Sequence, residues 1–252
     1  MDFTPLVVFG VLIVRIGMLV ATTPLFGAAW APMQVKVGLT AILAFVLMPF
    51  VALPTLVSPA ALMVVIGHEA VVGLALSFSV RILVAAAELG GYLVGFQLGF
   101  SYAGIIDPQS GVRNNVMAVL YGSLTALTMF GTNLHHQVIR LLAATYVSVP
   151  IAATLAVKQS VVDTVIRMLA LIFTTGAQLA APIVLVLLFV ELVMGVITRA
   201  APSLNLMVIG APLRLIVGLA ALGTTIQVVP GVMARVATWG LELSAQLALA
   251  FR

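Results

Sequence analysis

The side chains capable of chemistry in this chain are few and far apart. Seven acids are scattered through 252 residues. The patterns that would organise acids for catalysis are missing: no Gly-x-Ser-x-Gly elbow, no phosphate-binding Gly-x-x-x-x-Gly-Lys and no His-Glu-x-x-His. His68-Glu69 lacks a second histidine four residues on. The adjacent His135-His136 would point about 100° apart on a helix, poor geometry for one metal ion, so a capping or packing role is expected of them. With no cysteine, disulfides, thiolate metal sites and thiol nucleophiles are excluded. What remains is a set of lone charges in apolar surroundings. Arg81 and Glu88 are seven residues apart, about two helical turns, too far for a direct pair. Glu191 stands eight residues before Arg199. Ionisable groups at membrane depth are costly and tend to be paired, so Arg81, Glu88, Glu191 and Arg199 are candidates for polar contacts with another helix or another subunit. The competing reading places them at aqueous or interfacial levels of long helices.

Composition sets the surroundings of those charges. The chain is 63% hydrophobic and 7% charged, against roughly 25% charged in an average soluble domain, as expected of a membrane or membrane-complex protein. Its formal charge of +4 comes from isolated residues, which argues against nucleic-acid binding. The start, Met1 to Pro5, lacks the basic region of a signal peptide, and Arg15 interrupts the apolar run that follows. The segment is expected to remain uncleaved.

The elements that must position these groups read as helices. Pro5 to about Ala21 forms the first, with Arg15 inside it, and Val35 to Met48 the second, closed by Pro49. Ala60 to Gly99 is almost uninterrupted; as one helix it would be about 60 Å long, twice a bilayer core. Val116 to Phe130 and Leu134 to Tyr146 follow, with Asn133 placed to cap the latter. Thr164 to Thr198 is a second overlong run with Pro182 inside. Pro212 is expected to start the helix running to Val229, and Pro230-Gly231 to turn the chain into a last one. Ala31 to Ala41 and Ala211 to Ala221 share Ala, Pro, Val, Gly, Leu and Ala in register, a hint of an internal repeat.

One stretch organises the rest. Ala87, Gly91, Gly95, Gly99 and Ala103 recur every fourth position, so on a helix they form a groove into which another helix presses closely. Asp107-Pro108-Gln109-Ser110-Gly111 then favours a turn. Irregular backbone amid apolar chain is tolerated where protein encloses it or where it lines a cavity, which makes this break a candidate constriction.

Several of these breaks together resemble the FliR/SctT family of type III secretion proteins, the flagellar FliR branch above all. The residues that carry the resemblance are Thr23-Pro24-Leu25-Phe26 with Ala31-Pro32, Glu88 to Gly99, Asp107-Pro108-Gln109-Ser110-Gly111, Asn133-Leu134-His135, Gln178 to Pro182, and Glu191 through Asn205 to Pro212. The resemblance implies an all-α, hydrophobic, multi-helix protein with long kinked helices, a single export-gate domain over residues 1–252 that looks like a fusion of FliP-like and FliQ-like helical hairpins. It implies a non-enzymatic core subunit of an export gate, one copy assembled with FliP and FliQ and contacted by FlhB, in the bacterial inner membrane and the flagellar basal body. Unfolded flagellar proteins would pass through it, membrane lipids would surround part of it, and no cofactor is implied. Family members place a plug loop in the pore, and the matching part here is about 99–115, with Gly99, Phe100, Ser101, Tyr102, Gly104, Ile105, Ile106, Asp107 and Pro108 as plug or gate residues and Ala87, Gly91 and Gly95 as helix-packing positions. The injectisome counterpart and, more remotely, a small secondary transporter are the alternatives.

Overall fold

The computed structural model describes residues 4–26, 31–51, 59–100, 115–151, 159–201 and 206–251. Within them every regular element is helical: α1 (Thr4–Thr22), α2 (Met33–Leu47), α3 (Pro59–Leu98), α4 (Val116–Gly131), α5 (Leu134–Ser148), α6 (Ser160–Ala200), α7 (Leu206–Thr225) and α8 (Val229–Leu249), with 3-10 turns at Met48–Phe50 and Ile226–Val228. The all-α expectation is met. Both overlong runs are single helices, α3 of 40 residues and α6 of 41, with Pro182 inside α6. Among the described residues, five stretches are long and apolar enough to cross a membrane: 5–22, 33–50, 59–98, 160–200 and 209–249.

Three details differ from expectation, the first being that Pro230 and Gly231 lie in the first turn of α8, after the 3-10 turn at Ile226–Val228. Pro212 does not start α7; the helix begins at Leu206 and Pro212 lies inside it. Proline inside a helix forfeits one backbone hydrogen bond, a loss that helices in apolar surroundings accommodate through neighbouring groups. Pro32, the matching residue in the other copy of the repeat, is the N-cap of α2. Asn133 does stand at the N-cap of α5, but its side chain makes no capping bond; its backbone is left-handed, φ 55°, a conformation asparagine tolerates better than most. The Asn133 carbonyl instead accepts from the His136 and Gln137 N–H groups.

The helices form two compact units. Unit 1 comprises residues 1–83, 129–169 and 237–252; unit 2 comprises 84–128 and 170–236. In unit 1, α1 and α2 pack together, and α1 buries Leu12, Ile16 and Leu19, the spacing of one helical face. Leu134, Val138 and Leu142 do the same for α5. Unit 2 is built on a buried cluster in which Val94 and Leu98 of α3, Tyr121 of α4, Ile183 and Leu187 of α6, Leu222 of α7 and Met233 of α8 take part.

Burial separates the roles of the long helices. The apolar window of α3 is 61% buried within the chain, those of α6 and of residues 209–249 only 22% and 17%. Exposed Phe173, Leu185, Phe189, Leu192 and Val196 on α6 therefore form an apolar surface that lipid or other protein must cover.

Candidate functional site

In unit 1 the helices bring together a buried charge centre. Arg15 on α1 and Glu69 on α3 are both 0% exposed. The guanidinium holds the carboxylate two-handed, Nε donating to Oε2 at 2.8 Å and NH2 to Oε1 at 2.7 Å. Its remaining donors reach α5 and the residue after it: NH1 to Thr145 Oγ1 at 3.1 Å and NH2 to the Val149 carbonyl at 3.0 Å. The Tyr146 ring lies 4.3 Å from the guanidinium carbon, within cation–π range. His68 extends the cluster, with Nδ1 3.4 Å from Glu69 Oε1 and Nε2 3.3 Å from the Phe251 carbonyl. Burial pushes the Tyr146 phenol well above its ordinary range, with Arg15 lowering it and Glu69 raising it, so the ring stays neutral.

Gly73 explains how two helices come close enough for this pair. A Cβ there would meet the Arg15 carbonyl oxygen at 2.5 Å and Met18 Cβ at 3.0 Å. Glu69 and Gly73 are one turn apart on α3, so the acid and the crossing point face α1 together. Such a pair fixes register: α1 cannot slide along α3 without leaving an uncompensated charge in the interior. The sequence reading passed over this pair. The available signal was two lone, opposite charges in separate apolar helices, with a glycine four residues after the acid.

The second construction is the junction of α3 with α4 in unit 2. A Cβ on Gly91 would overlap the Met117 carbonyl and come within 2.7 Å of Ala118 Cα. On Gly95 it would fall on the side-chain amide of Asn115. Ala87 is fully buried in the same core. The groove read from the spacing of small residues thus receives α4 and the residue before it. Asn115 does two further things: Nδ2 donates to the Tyr92 carbonyl at 3.1 Å, and Oδ1 accepts from the Met117 N–H at 3.0 Å, capping α4.

Gly95 also receives the other end of the intervening segment. α3 stops where Gly99 turns left-handed, φ 90°. Gly99 N–H donates to the Phe96 carbonyl at 3.1 Å and Phe100 N–H to the Gly95 carbonyl at 3.0 Å, a Schellman ending. Phe100 packs on the buried cluster of unit 2. Residues 100 and 115 are therefore both anchored on the last turns of α3.

The lone charges singled out by sequence take separate positions. Arg81 is exposed on α3 and lines a cleft of unit 1. Glu88 is exposed, its side chain lying over Gly122 of α4. Glu191 of α6 accepts from Arg214 of α7 at 3.1 Å and from Gln97 of α3 at 3.2 Å. With the side chains of Arg214 and Glu191 31% and 41% exposed, that pair contributes at most about 1 kcal/mol. Arg199 is exposed near the end of α6. The His135 ring meets those of Phe130 and His136 at a tilt, with centroids 5.4 and 4.1 Å away.

Comparison with known proteins decides the relationship. The family described as bacterial export proteins, family 1, matches residues 6–238. The chain belongs to this family. Its relatives include the flagellar biosynthetic protein FliR of Pectobacterium carotovorum, 32% identical over 86% of this chain and 83% of that protein. The FliR of Escherichia coli K12 is 31% identical over 82% and 79%. The Yop proteins translocation protein T of Yersinia pestis is 29% identical over 61% and 59%. For this export-protein chain, the positions expected to form a plug, Ser101, Tyr102, Gly104, Ile105, Ile106, Asp107 and Pro108, lie outside the described residues. Gly99 and Phe100 are the described root of that stretch.

Proposed function

We propose that this chain is the FliR-type subunit of a flagellar type III export gate. One copy, assembled with FliP and FliQ subunits and with FlhB at the cytoplasmic mouth, helps form the channel through which unfolded flagellar proteins cross the inner membrane at the basal body. The observation that carries this reading is the extent of the relationship: the family matches residues 6–238, and the flagellar relatives align over about four-fifths of their own length. The Yersinia relative aligns over a shorter stretch, which favours the flagellar system over the injectisome. The poorly buried apolar faces of α6 to α8 suit a subunit completed by other subunits and lipid.

In this proposal residues 99–108 are the plug. Gly99 lets the backbone leave α3, and Tyr102, Ile105 and Ile106 supply apolar bulk across the pore. Phe100, held on the core of unit 2, is the root on which the plug turns. Because the Schellman ending and Asn115 tie both ends of the segment to Gly95 and Tyr92, the plug can move aside while α3 and α4 stay in place. Opening must reverse after each substrate, so the closed form is favoured by only a few kcal/mol.

The test replaces the cellular copy with a variant lacking residues 100–106. Membrane permeability to ions and small solutes rises, whereas loss of the whole chain stops secretion of flagellar subunits without a leak. Unchanged permeability in the shortened variant would remove the plug assignment. Continued secretion without the chain would remove the export reading.

A further inference from the structure

Unit 1 carries a cleft of about 340 Å³ with apolar walls from Leu74 and Phe78 of α3, Val165 of α6 and Leu247 of α8. Its charged lining residue is Arg81; no described acid lines it. The Arg81 guanidinium is exposed and pairs with no described residue. Thr22 and Ser77 make up the polar remainder, and their two hydroxyl protons are taken up within the chain, one between the two hydroxyls, 2.6 Å apart, and the other on the Met18 or the Leu74 carbonyl. The cleft therefore offers a newcomer an apolar trough and one cation with unused donors.

We infer that it seats an acyl chain of an anionic phospholipid, with the lipid phosphate on Arg81. A guanidinium with unused donors beside apolar walls suits a counter-charge that carries an apolar tail, and it meets a phosphate with paired hydrogen bonds. The shape selects the rest of the occupant. The apolar walls flank Arg81 along α3, and an acyl chain is thin and flexible enough to lie along them. The volume is at the lower end of ligand-sized clefts, roughly 300–1,000 Å³. Anionic lipid is also the solvent of a membrane protein, present without a dedicated partner.

The test uses the full chain, in mild detergent with whatever subunits accompany it, supplied with phosphatidylglycerol or phosphatidylcholine and weighed by native mass spectrometry. The wild-type chain retains one phosphatidylglycerol more than Arg81→Gln, in which the singly lipidated population falls at least fivefold, while phosphatidylcholine adducts are equal in both. Leu74→Trp, which fills the cleft from its exposed side and leaves Arg81 intact, loses the same lipid. Equal phosphatidylglycerol retention by wild type and Arg81→Gln overturns the site. So does displacement of the lipid by inorganic phosphate alone, which would leave the acyl trough without a role. A photo-crosslinker at Phe78 that captures a protein chain instead of lipid would assign the cleft to a partner helix and overturn the inference as well.

Discussion

Glu69→Ala destabilises the chain by about 3–5 kcal/mol, the usual cost of removing one member of a buried ion pair. The substitution strands a fully buried guanidinium whose other ligands, Thr145 Oγ1 and the Val149 carbonyl, carry no charge. Arg15→Ala does the same to the carboxylate and also removes the link from α1 to α5. The pair is not expected to add much beyond what apolar side chains of similar size would contribute, because taking two charges out of water costs nearly what their attraction returns. Arg15→Met combined with Glu69→Leu is therefore expected to recover most of the loss. Thermal unfolding of the detergent-extracted protein, followed by circular dichroism, reads the cost of the alanine variants, and a double-mutant cycle of Arg15→Met, Glu69→Leu and their combination reads the recovery. Single substitutions costing under 1 kcal/mol, or losses that simply add in the double variant, would show that the pair does not hold α1 in register.

Gly91→Ala separates α3 from α4. Its Cβ falls on the Met117 carbonyl and within 2.7 Å of Ala118 Cα, both backbone atoms that move only with the whole helix. Overpacking of this kind costs about 1–3 kcal/mol, occasionally more, outweighing the gain of up to about 1 kcal/mol that alanine brings to a helix interior. Gly67, on the same helix, has nothing within 4 Å of the equivalent position, so Gly67→Ala keeps the propensity gain alone. Gly95→Ala is intermediate, since its Cβ meets the side chain of Asn115, which can turn away at the loss of its bonds to Tyr92 and Met117. The expected order of melting temperature is Gly67→Ala, wild type, Gly95→Ala, Gly91→Ala. Equal melting of the Gly67 and Gly91 variants would contradict the close packing of α3 and α4.

The small-residue groove was readable because its signal is a spacing: Ala87, Gly91 and Gly95 share a face wherever the segment is helical. The ends of α1, α3, α4 and α5 were readable to within a few residues for a similar reason, since Pro, Gly and Asn mark them locally. Arg15 and Glu69 were not, because they are 54 positions apart and no local pattern states which lone charge meets which. Glu191 illustrates the same limit: its contacts, Arg214 and Gln97, lie on other helices, while Arg199, on its own helix, is exposed and makes no contact with it. Asn115 was passed over because its task depends on its amide lying against Gly95, a contact made only once α4 is packed on α3. Pro212 misled because proline at a helix start and proline inside an apolar helix look alike without the upstream turn.

The central claim is that this chain is one part of a larger export gate. The most direct measurement is the mass and subunit composition of the particle extracted in detergent after co-expression with the neighbouring membrane genes. The expected result is a stable particle with one copy of this chain among several copies of smaller hydrophobic subunits, which cover the exposed apolar residues of α6. A lone chain or a simple homodimer, recovered with those subunits absent, would contradict it.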